Sequence, residues 1–186
     1  MNEITPELRI ARELASSEKL LWSGSPRQGL MLRPADALMI PFSMLWGGFA
    51  IFWEVSAVRG GAPFFFTLWG IPFVAVGLYV IIGRFFADSA LRHRTCYAVT
   101  NERVIIVSGL FRETMKSLSL RTLSDMSLST RADGSGTITL GPTTMQSWFA
   151  GTGWPGAGHN APPALEGIPN ARAVHETIRQ AQRSAA

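Results

Sequence analysis

Two long apolar runs near the middle of the chain constrain what this sequence can fold into. The first extends from Ala37 to Val58 and contains one charge, Glu54, whereas the second extends from Pro63 to Gly83 and contains none. A bilayer core about 30 Å thick is crossed by roughly 20 apolar residues of helix, so each run is long enough to span it. Because only residues 59–62 separate the runs, we expect an antiparallel membrane hairpin. A pair of helices buried in a soluble core is the alternative, but a soluble helix normally keeps a polar face, and neither run has one.

Basic residues near the ends of the runs predict the orientation of the hairpin. The connecting turn holds only Arg59, whereas the flanks that lead to the two termini carry Arg27, Arg33, Arg84, Arg92 and Arg94. The positive-inside rule therefore predicts that both termini lie in the cytoplasm. The single cysteine, Cys96, would then lie in a reducing compartment. We interpret it as a small buried hydrophobe rather than a redox thiol.

Short strands follow the hairpin, and a helix closes the chain. A hairpin connection at Thr100-Asn101-Glu102-Arg103 and a turn at 133–136 interrupt the β pattern. Helical spacing of apolar residues from Asn170 to Arg183 predicts an amphipathic helix. The predicted strands are 95–99, 104–108, 114–120, 123–130 and 137–140. This order predicts a small α+β domain in which the helix covers the open end of a sheet or partial barrel.

A stretch rich in Gly and Pro at 143–167 separates the last predicted strand from the helix. About 25 residues without regular structure are unusual inside a compact domain. The stretch contains Trp148, Phe149 and Trp154, which are costly to leave in water. They are candidate contacts with the membrane interface, where Trp is favoured, or with a partner. Packing of the loop over its own sheet is the alternative, and the sequence leaves both open.

The N-terminal region completes the predicted domain organisation. Residues 5–14 have the pattern of a short amphipathic helix, and residues 20–23 could form a strand. We therefore expect a cytoplasmic N-terminal segment at 1–35, a transmembrane hairpin at 36–86 with spans at about 37–58 and 63–83, and a cytoplasmic domain at 92–186.

Two sequence phrases on either side of the hairpin carry a family resemblance. Their positions are Glu18, Leu20, Trp22, Gly24 and Pro26, then Tyr97, Val99, Thr100, Asn101, Arg103, Val104, Ile105 and Gly109. With the hairpin between them, these positions resemble the bacterial membrane proteins with a pleckstrin-homology-like (PH-like) domain, of the two-transmembrane-helix type. The resemblance implies an antiparallel β sandwich or partial barrel capped by a C-terminal helix, a bacterial inner-membrane location, and no catalytic residues. The insertion at 143–167 departs from the family pattern.

The sequence offers no constellation for catalysis. His93, His159 and His175 are scattered, and the chain has no paired cysteines, no Gly-x-Ser-x-Gly elbow and no P-loop. We therefore expect no metal, no cofactor and no enzymatic activity. From residue 87 onward, ten basic residues against seven acidic ones give a net charge of +3 with no dense stripe, which is unlike a nucleic-acid footprint.

Two hypotheses of function remain ahead of a membrane enzyme with no visible catalytic set. In the first, the domain scaffolds or assists assembly of a membrane complex, with a membrane protein or a second copy as partner. In the second, it binds anionic lipid headgroups, to which basic residues beside the membrane are attracted. The candidate headgroup contacts are Arg84, Arg92, Arg94 and Arg103, with Arg112 or Lys116 in addition.

Overall fold

The computed structural model describes residues 10–11, 13–29, 31–33, 35–110, 113–142 and 162–185. The chain forms two compact units. Among the described residues, the first unit comprises those between 31 and 88, and the second comprises 10–29, 89–142 and 162–185. The second unit is therefore discontinuous in sequence, because the first unit is inserted into it.

The first unit is built from helices. Helix α1 extends over Asp36–Arg59 and helix α2 over Phe64–Leu78. A π-helical turn at Tyr79–Gly83 connects α2 to α3, Arg84–His93, so that one helix of 30 residues continues from Phe64 to His93. The sequence predicts the second span to end at Gly83, whereas the helix continues to His93, and its last five residues, 89–93, belong to the second unit.

Both α1 and the long second helix are long and apolar enough to cross a membrane. Most of their large apolar side chains are exposed, including Leu45 at 76% and Phe64 at 80%. A helix in a soluble core buries its apolar stripe. This exposure therefore favours a lipid environment over the soluble-core alternative.

Close packing of α1 against α2 depends on two glycines. A Cβ atom added at Gly77 would lie 3.0 Å from Cα of Gly47, so the two backbones meet directly. Gly48, the neighbour of Gly47, has nothing within 4 Å of such an atom. The small-residue contact therefore lies inside the hairpin, as is common between membrane helices.

The second unit contains two antiparallel sheets. In the first sheet the order is β1-β2-β3-β4, and in the second it is β5-β6-β7. The strands are β1 Leu20–Gly24, β2 Cys96–Thr100, β3 Arg103–Ser108, β4 Thr114–Ser119, β5 Met126–Thr130, β6 Gly136–Leu140 and β7 Ala164–Ile168. A single 3-10 turn at Leu120–Thr122 leads from the first sheet towards the second.

One hydrophobic core joins both sheets to the closing helix. Helix α4, Ala171–Ala185, buries Ala171, Val174, Ile178 and Ala181 at helical spacing. These side chains pack with Leu120 of the 3-10 turn and with residues of both sheets, namely Tyr97, Val99, Val104, Ile106, Ile138, Leu140, Leu165 and Ile168. The predicted fold, a helical hairpin and an antiparallel β sandwich or partial barrel capped by a C-terminal helix, is confirmed.

The predicted loop at 143–167 is wrong over its last four residues. They belong to β7, which pairs with β6 in the second sheet. The two buried apolar side chains, Leu165 and Ile168, are three residues apart instead of two, and the strand begins directly after two prolines, which hid it in the sequence. Residues 143–161, with Trp148, Phe149 and Trp154, lie outside the described residues.

The N-terminal segment is part of the sheet domain, so the predicted domain start at 92 leaves out its first strand. β1 pairs with β2 although the helical hairpin separates them in sequence. On the face of the first sheet opposite the main core, Ile10 is fully buried with Cys96, Ala98, Ile105 and Val107, and Leu14 packs against them. Of the predicted helix at 5–14, residues 10–11 are helical, and residues 1–9 and 12 lie outside the described ones.

Candidate functional site

The tight turn between β2 and β3 is organised by Thr100, whose side chain is completely buried. Its Oγ1 accepts hydrogen bonds from the backbone N–H groups of Glu102 at 3.2 Å and Arg103 at 2.9 Å. The same hydroxyl lies 3.0 Å from the carbonyl oxygen of Arg103, to which it donates. A threonine therefore fixes this two-residue connection by bonding to its own backbone, as threonine hydroxyls do in turns.

Arg103 and Glu18 join the turn to the N-terminal segment; we call this pair the clamp. Arg103 donates from Nε to Oε1 of Glu18 at 2.6 Å and from Nη2 to Oε2 at 2.8 Å, which is a bidentate geometry. Nη2 also donates to the carbonyl of Glu13 at 3.0 Å. Beside the clamp, Lys19 N–H donates to Oδ1 of Asn101 at 2.8 Å, and Asn101 N–H donates to the carbonyl of Lys19 at 3.1 Å.

The clamp shifts the pKa of both its members. The hydrogen bonds from Arg103 lower the pKa of Glu18 below its ordinary value of 4.5, and the N–H of Ala15 adds to this, against the opposing effect of burial. The bonded carboxylate in turn raises the pKa of Arg103. Only 1% of the Glu18 side chain is exposed, against 26% for Arg103. The pair is therefore fully charged at neutral pH. It also connects the two sequence phrases that carry the family resemblance, because one contains Glu18 and the other contains Arg103.

Two of the predicted headgroup contacts are buried and bonded within the protein. Arg92 is 4% exposed and donates to the carbonyl of Gly29 at 2.6 Å and to that of Arg27 at 3.3 Å. Arg84 is 5% exposed and forms a 2.8 Å ion pair with Asp36. Together with the bonding of Arg103 in the clamp, these contacts favour a structural role for three of the four predicted arginines.

The remaining predicted cations do not form one patch with Arg103. Arg94 is exposed and donates to the carbonyl of Leu110. Lys116 is exposed on β4 and is paired with Ile106, so it lies on the opposite face of the first sheet from Arg103. Arg112 lies outside the described residues. Headgroup contact by these residues stays a prediction.

Helix α4 carries an arginine stripe that sequence reasoning missed. Arg172, Arg179 and Arg183 are all exposed, and their spacing of seven and four residues places them on one side of the helix. Glu176 is the acidic residue on the same side. Arg179 and Arg183 also lie in the last turns of the helix, where the helix dipole favours cations. The 3.6-residue period applied to the charged positions would have revealed the stripe.

The described residues contain no group of three or more His, Cys, Asp or Glu side chains that could hold a metal ion. His93 is exposed at the end of α3, and His175 is partly buried on α4. His159 lies outside the described residues. Cys96 is buried in the second core, as its interpretation as a small hydrophobe predicts.

The edge strand β4 is the most accessible backbone of the first sheet. It pairs with β3 along its whole length, and no described strand lies on its other side. Five of its six residues are exposed, and Met115 is an exposed apolar side chain at 43%. Such an edge presents unpaired backbone groups to a further strand.

The comparison with protein families agrees with this architecture. Residues 49–182 match the family model described as a bacterial PH domain. A DUF1696 family protein with a pleckstrin-homology domain from Shewanella loihica PV-4 is similar in structure, with 15% identity over 49% of this chain and 73% of that chain and a TM-score of 0.34. No curated protein matches the chain.

Proposed function

The chain belongs to the bacterial PH domain family, and on that premise we propose that it is a non-enzymatic membrane protein that scaffolds or assists assembly of a membrane complex. The PH-like domain would act at the cytoplasmic face of the bacterial inner membrane. Its partner would be a membrane protein or a second copy of this chain.

The helices support the membrane part of the proposal. Two of them are long and apolar enough to cross a bilayer, and their apolar surfaces are exposed. We expect the protein to stay in the membrane pellet after washing with alkaline carbonate. Release into the supernatant would contradict a transmembrane hairpin.

The sheet order bears on the orientation. β1 precedes the hairpin and β2 follows it, yet the two strands are paired neighbours in one sheet. If the helices cross the membrane, the chain must return to the side from which it left. This argument supports placing both termini on one side, and the positive-inside rule favours the cytoplasm for that side.

The free edge of β4 is the observation that carries the scaffold role. An added strand would gain backbone hydrogen bonds there, in the manner of β-augmentation. We would place a photocrosslinking amino acid at Met115 and, as a matched control, at the exposed Gln180 on α4. A discrete adduct from position 115 but not from position 180 in living cells is expected. Equal adducts from both, or none from 115, would contradict use of this edge.

Binding of anionic headgroups is the second candidate function, and the arginine stripe favours it. Three exposed arginines lie on one side of a helix with one acidic residue near them. Each basic side chain near an anionic surface contributes about 1 kcal/mol. The stripe is therefore a better candidate surface than the three predicted arginines that are bonded within the protein.

A charge-matched pair of variants would test the stripe. In one, Arg172, Arg179 and Arg183 are changed to Gln; in the other, the exposed residues Lys19, Arg59 and Arg121, none of which is a predicted headgroup contact, are changed to Gln. We would measure binding of short-chain phosphatidylglycerol and phosphatidylcholine to the full chain in an uncharged detergent. The first variant should lose its preference for phosphatidylglycerol and the second should retain it. Equal losses would indicate a general charge effect, and no preference in the parent protein would exclude headgroup binding.

A further inference from the structure

The carboxylate of Glu54 lies against the backbone of the facing helix at Gly70. A Cβ atom added at Gly70 would be 1.7 Å from Oε2 of Glu54 and 2.8 Å from Cζ3 of Trp53. The missing side chain therefore makes room for a carboxylate and an indole ring beside the same point. Such direct approach of side chains to backbone requires glycine at this position.

One oxygen of this carboxylate has no donor in the described structure. Oε2 of Glu54 is buried and has no hydrogen-bond partner there. Arg59, the next cation along α1, makes no ion pair with it among the described residues. A buried carboxylate oxygen without a donor is costly, and such groups call for a physical explanation.

An aromatic groove adjoins the carboxylate. It has a volume of about 320 Å³ and is lined by Trp46, Phe49, Ala50, Trp53, Trp69 and Phe73. Trp53 lines the groove and also lies next to Glu54 at Gly70, so the carboxylate is a neighbour of the groove wall although it does not itself line the groove. Trp53 is 37% exposed and Trp69 is 60% exposed, which leaves their rings accessible.

We propose that the hairpin binds a ligand that carries an ammonium group, with Glu54 as its counter-charge and Trp53 as its aromatic wall. Aromatic faces attract primary and quaternary ammonium groups, most strongly where water is excluded. The ammonium supplies the positive charge that Oε2 lacks. Free organic cations and the headgroups of amino- or choline phospholipids share this chemistry.

The position of Glu54 fits a lipid headgroup. It lies five residues before Arg59, the last residue of α1, which corresponds to about 7.5 Å along a helix. The site is then near the end of the span, within reach of the headgroup layer. This part of the inference rests on the membrane location proposed above. Carbonate extraction tests that location separately, so failure of either idea can be distinguished.

Choline and its uncharged isostere, 3,3-dimethylbutan-1-ol, provide a direct test. Both would be titrated into the full chain in an uncharged detergent, with tryptophan fluorescence as the readout. A saturable change with choline and none with the alcohol is expected. An equal response to both would show an apolar groove without charge recognition and would overturn the proposal.

Short-chain phosphatidylcholine, compared with free choline, separates the two sources of the ammonium group. Phosphatidylglycerol, which has no ammonium group, is the lipid control. Binding of phosphatidylcholine alone, without an effect of free choline, would identify a lipid headgroup as the ligand. Binding of free choline would show that the ammonium group suffices. No binding of either would overturn the proposal.

Variants locate the site. Glu54→Gln should raise the Kd for the ammonium probe about tenfold, because it removes the counter-charge. Trp53→Leu should weaken binding similarly. Gly70→Ala should also weaken it, because the new methyl group would displace the carboxylate. Glu102→Gln, an exposed carboxylate on the β2–β3 turn, and Gly48→Ala, where a methyl group meets open space, are the controls. An unchanged Kd in Glu54→Gln would overturn the assignment.

Discussion

Removal of the charge at Glu18 should loosen the N-terminal segment from the sheet domain. The Glu18→Gln variant keeps the shape of the side chain but loses the ion pair with Arg103. The segment that Glu18 fixes also buries Ile10 and Leu14 over the second core, where Cys96 lies. Loss of the clamp should therefore expose this core more often.

The magnitude follows from the burial of the two partners. Removing one member of a fully buried ion pair costs about 3–5 kcal/mol. Glu18 is 1% exposed, but Arg103 is 26% exposed and can regain some water when its partner is neutral. We therefore expect a loss of about 2 kcal/mol in the free energy of opening, which corresponds to roughly a 30-fold change in the opening equilibrium.

Cys96 reports this opening without any engineered label, because it is the single cysteine of the chain and is 4% exposed. Its rate of alkylation by a maleimide should rise about 30-fold in Glu18→Gln if labelling proceeds through the opened state. Glu102→Gln, which changes an exposed carboxylate on the same turn, should leave the rate unchanged, whereas Ile10→Ala should raise it. A rate in Glu18→Gln within twofold of the parent protein would refute the reasoning.

Three further predictions concern pH, the hairpin and the contact between the sheets. Because the pKa of Glu18 is lowered in the folded state, its contribution to stability is complete above about pH 4.5 and is lost as the pH falls towards the lower folded value. The opening equilibrium, measured as the Cys96 alkylation rate relative to that of a free thiol at the same pH, should therefore depend less on pH in Glu18→Gln than in the parent protein. Asp133, whose pKa is lowered by hydrogen bonds from Ser135, contributes in the same direction, so the pH dependence should weaken in Glu18→Gln without disappearing. Gly77→Leu should destabilise the hairpin by about 1–3 kcal/mol, because it forces two backbones apart, whereas Gly48→Leu should not. Unfolding in a titration with a denaturing detergent measures both variants. Equal effects would contradict the packing of Gly77 against Gly47. Tyr97→Phe should cost about 1 kcal/mol by chemical unfolding, because its hydroxyl accepts a hydrogen bond from the backbone of Glu166 in the other sheet; no measurable loss would show that this bond does not contribute.

The sequence predicts the fold well where local patterns decide it. Apolar runs of about 20 residues identify the two long helices, and alternation and turn residues identify the strands around Thr100 and Gly134. The short strand β7 was missed because it follows two prolines and a Gly-rich stretch, where local signals favour a loop. Its place is decided by pairing with β6, a non-local interaction.

The roles of the arginines could be predicted only in part, because the partner of a charged residue is decided by the tertiary fold. Nothing in the sequence near Arg103 indicates Glu18, which lies 85 residues away and reaches it only when β1 pairs with β2. Arg92 likewise reaches the carbonyl of Gly29 across 63 residues. Basic residues that flank long apolar helices are therefore poor indicators of lipid contact when the chain returns to its own earlier segment.

The insertion of the hairpin between β1 and β2 gives the clamp a further role. The strand β1, which precedes the helical hairpin, has no sheet to join until β2 and β3 have been made, so the first sheet is completed only after both long helices exist. The backbone pairing of β1 with β2 and the bond between Glu18 and Arg103 then close a loop of 85 residues in the chain. Closing so long a loop costs conformational entropy, which the added contacts must offset.

The two sequence phrases that flank the hairpin are thus best understood as the two halves of one closure. Glu18 supplies the buried charge, Thr100 shapes the turn that presents Arg103, and Trp22 packs over Gly24 to hold β1 on the core.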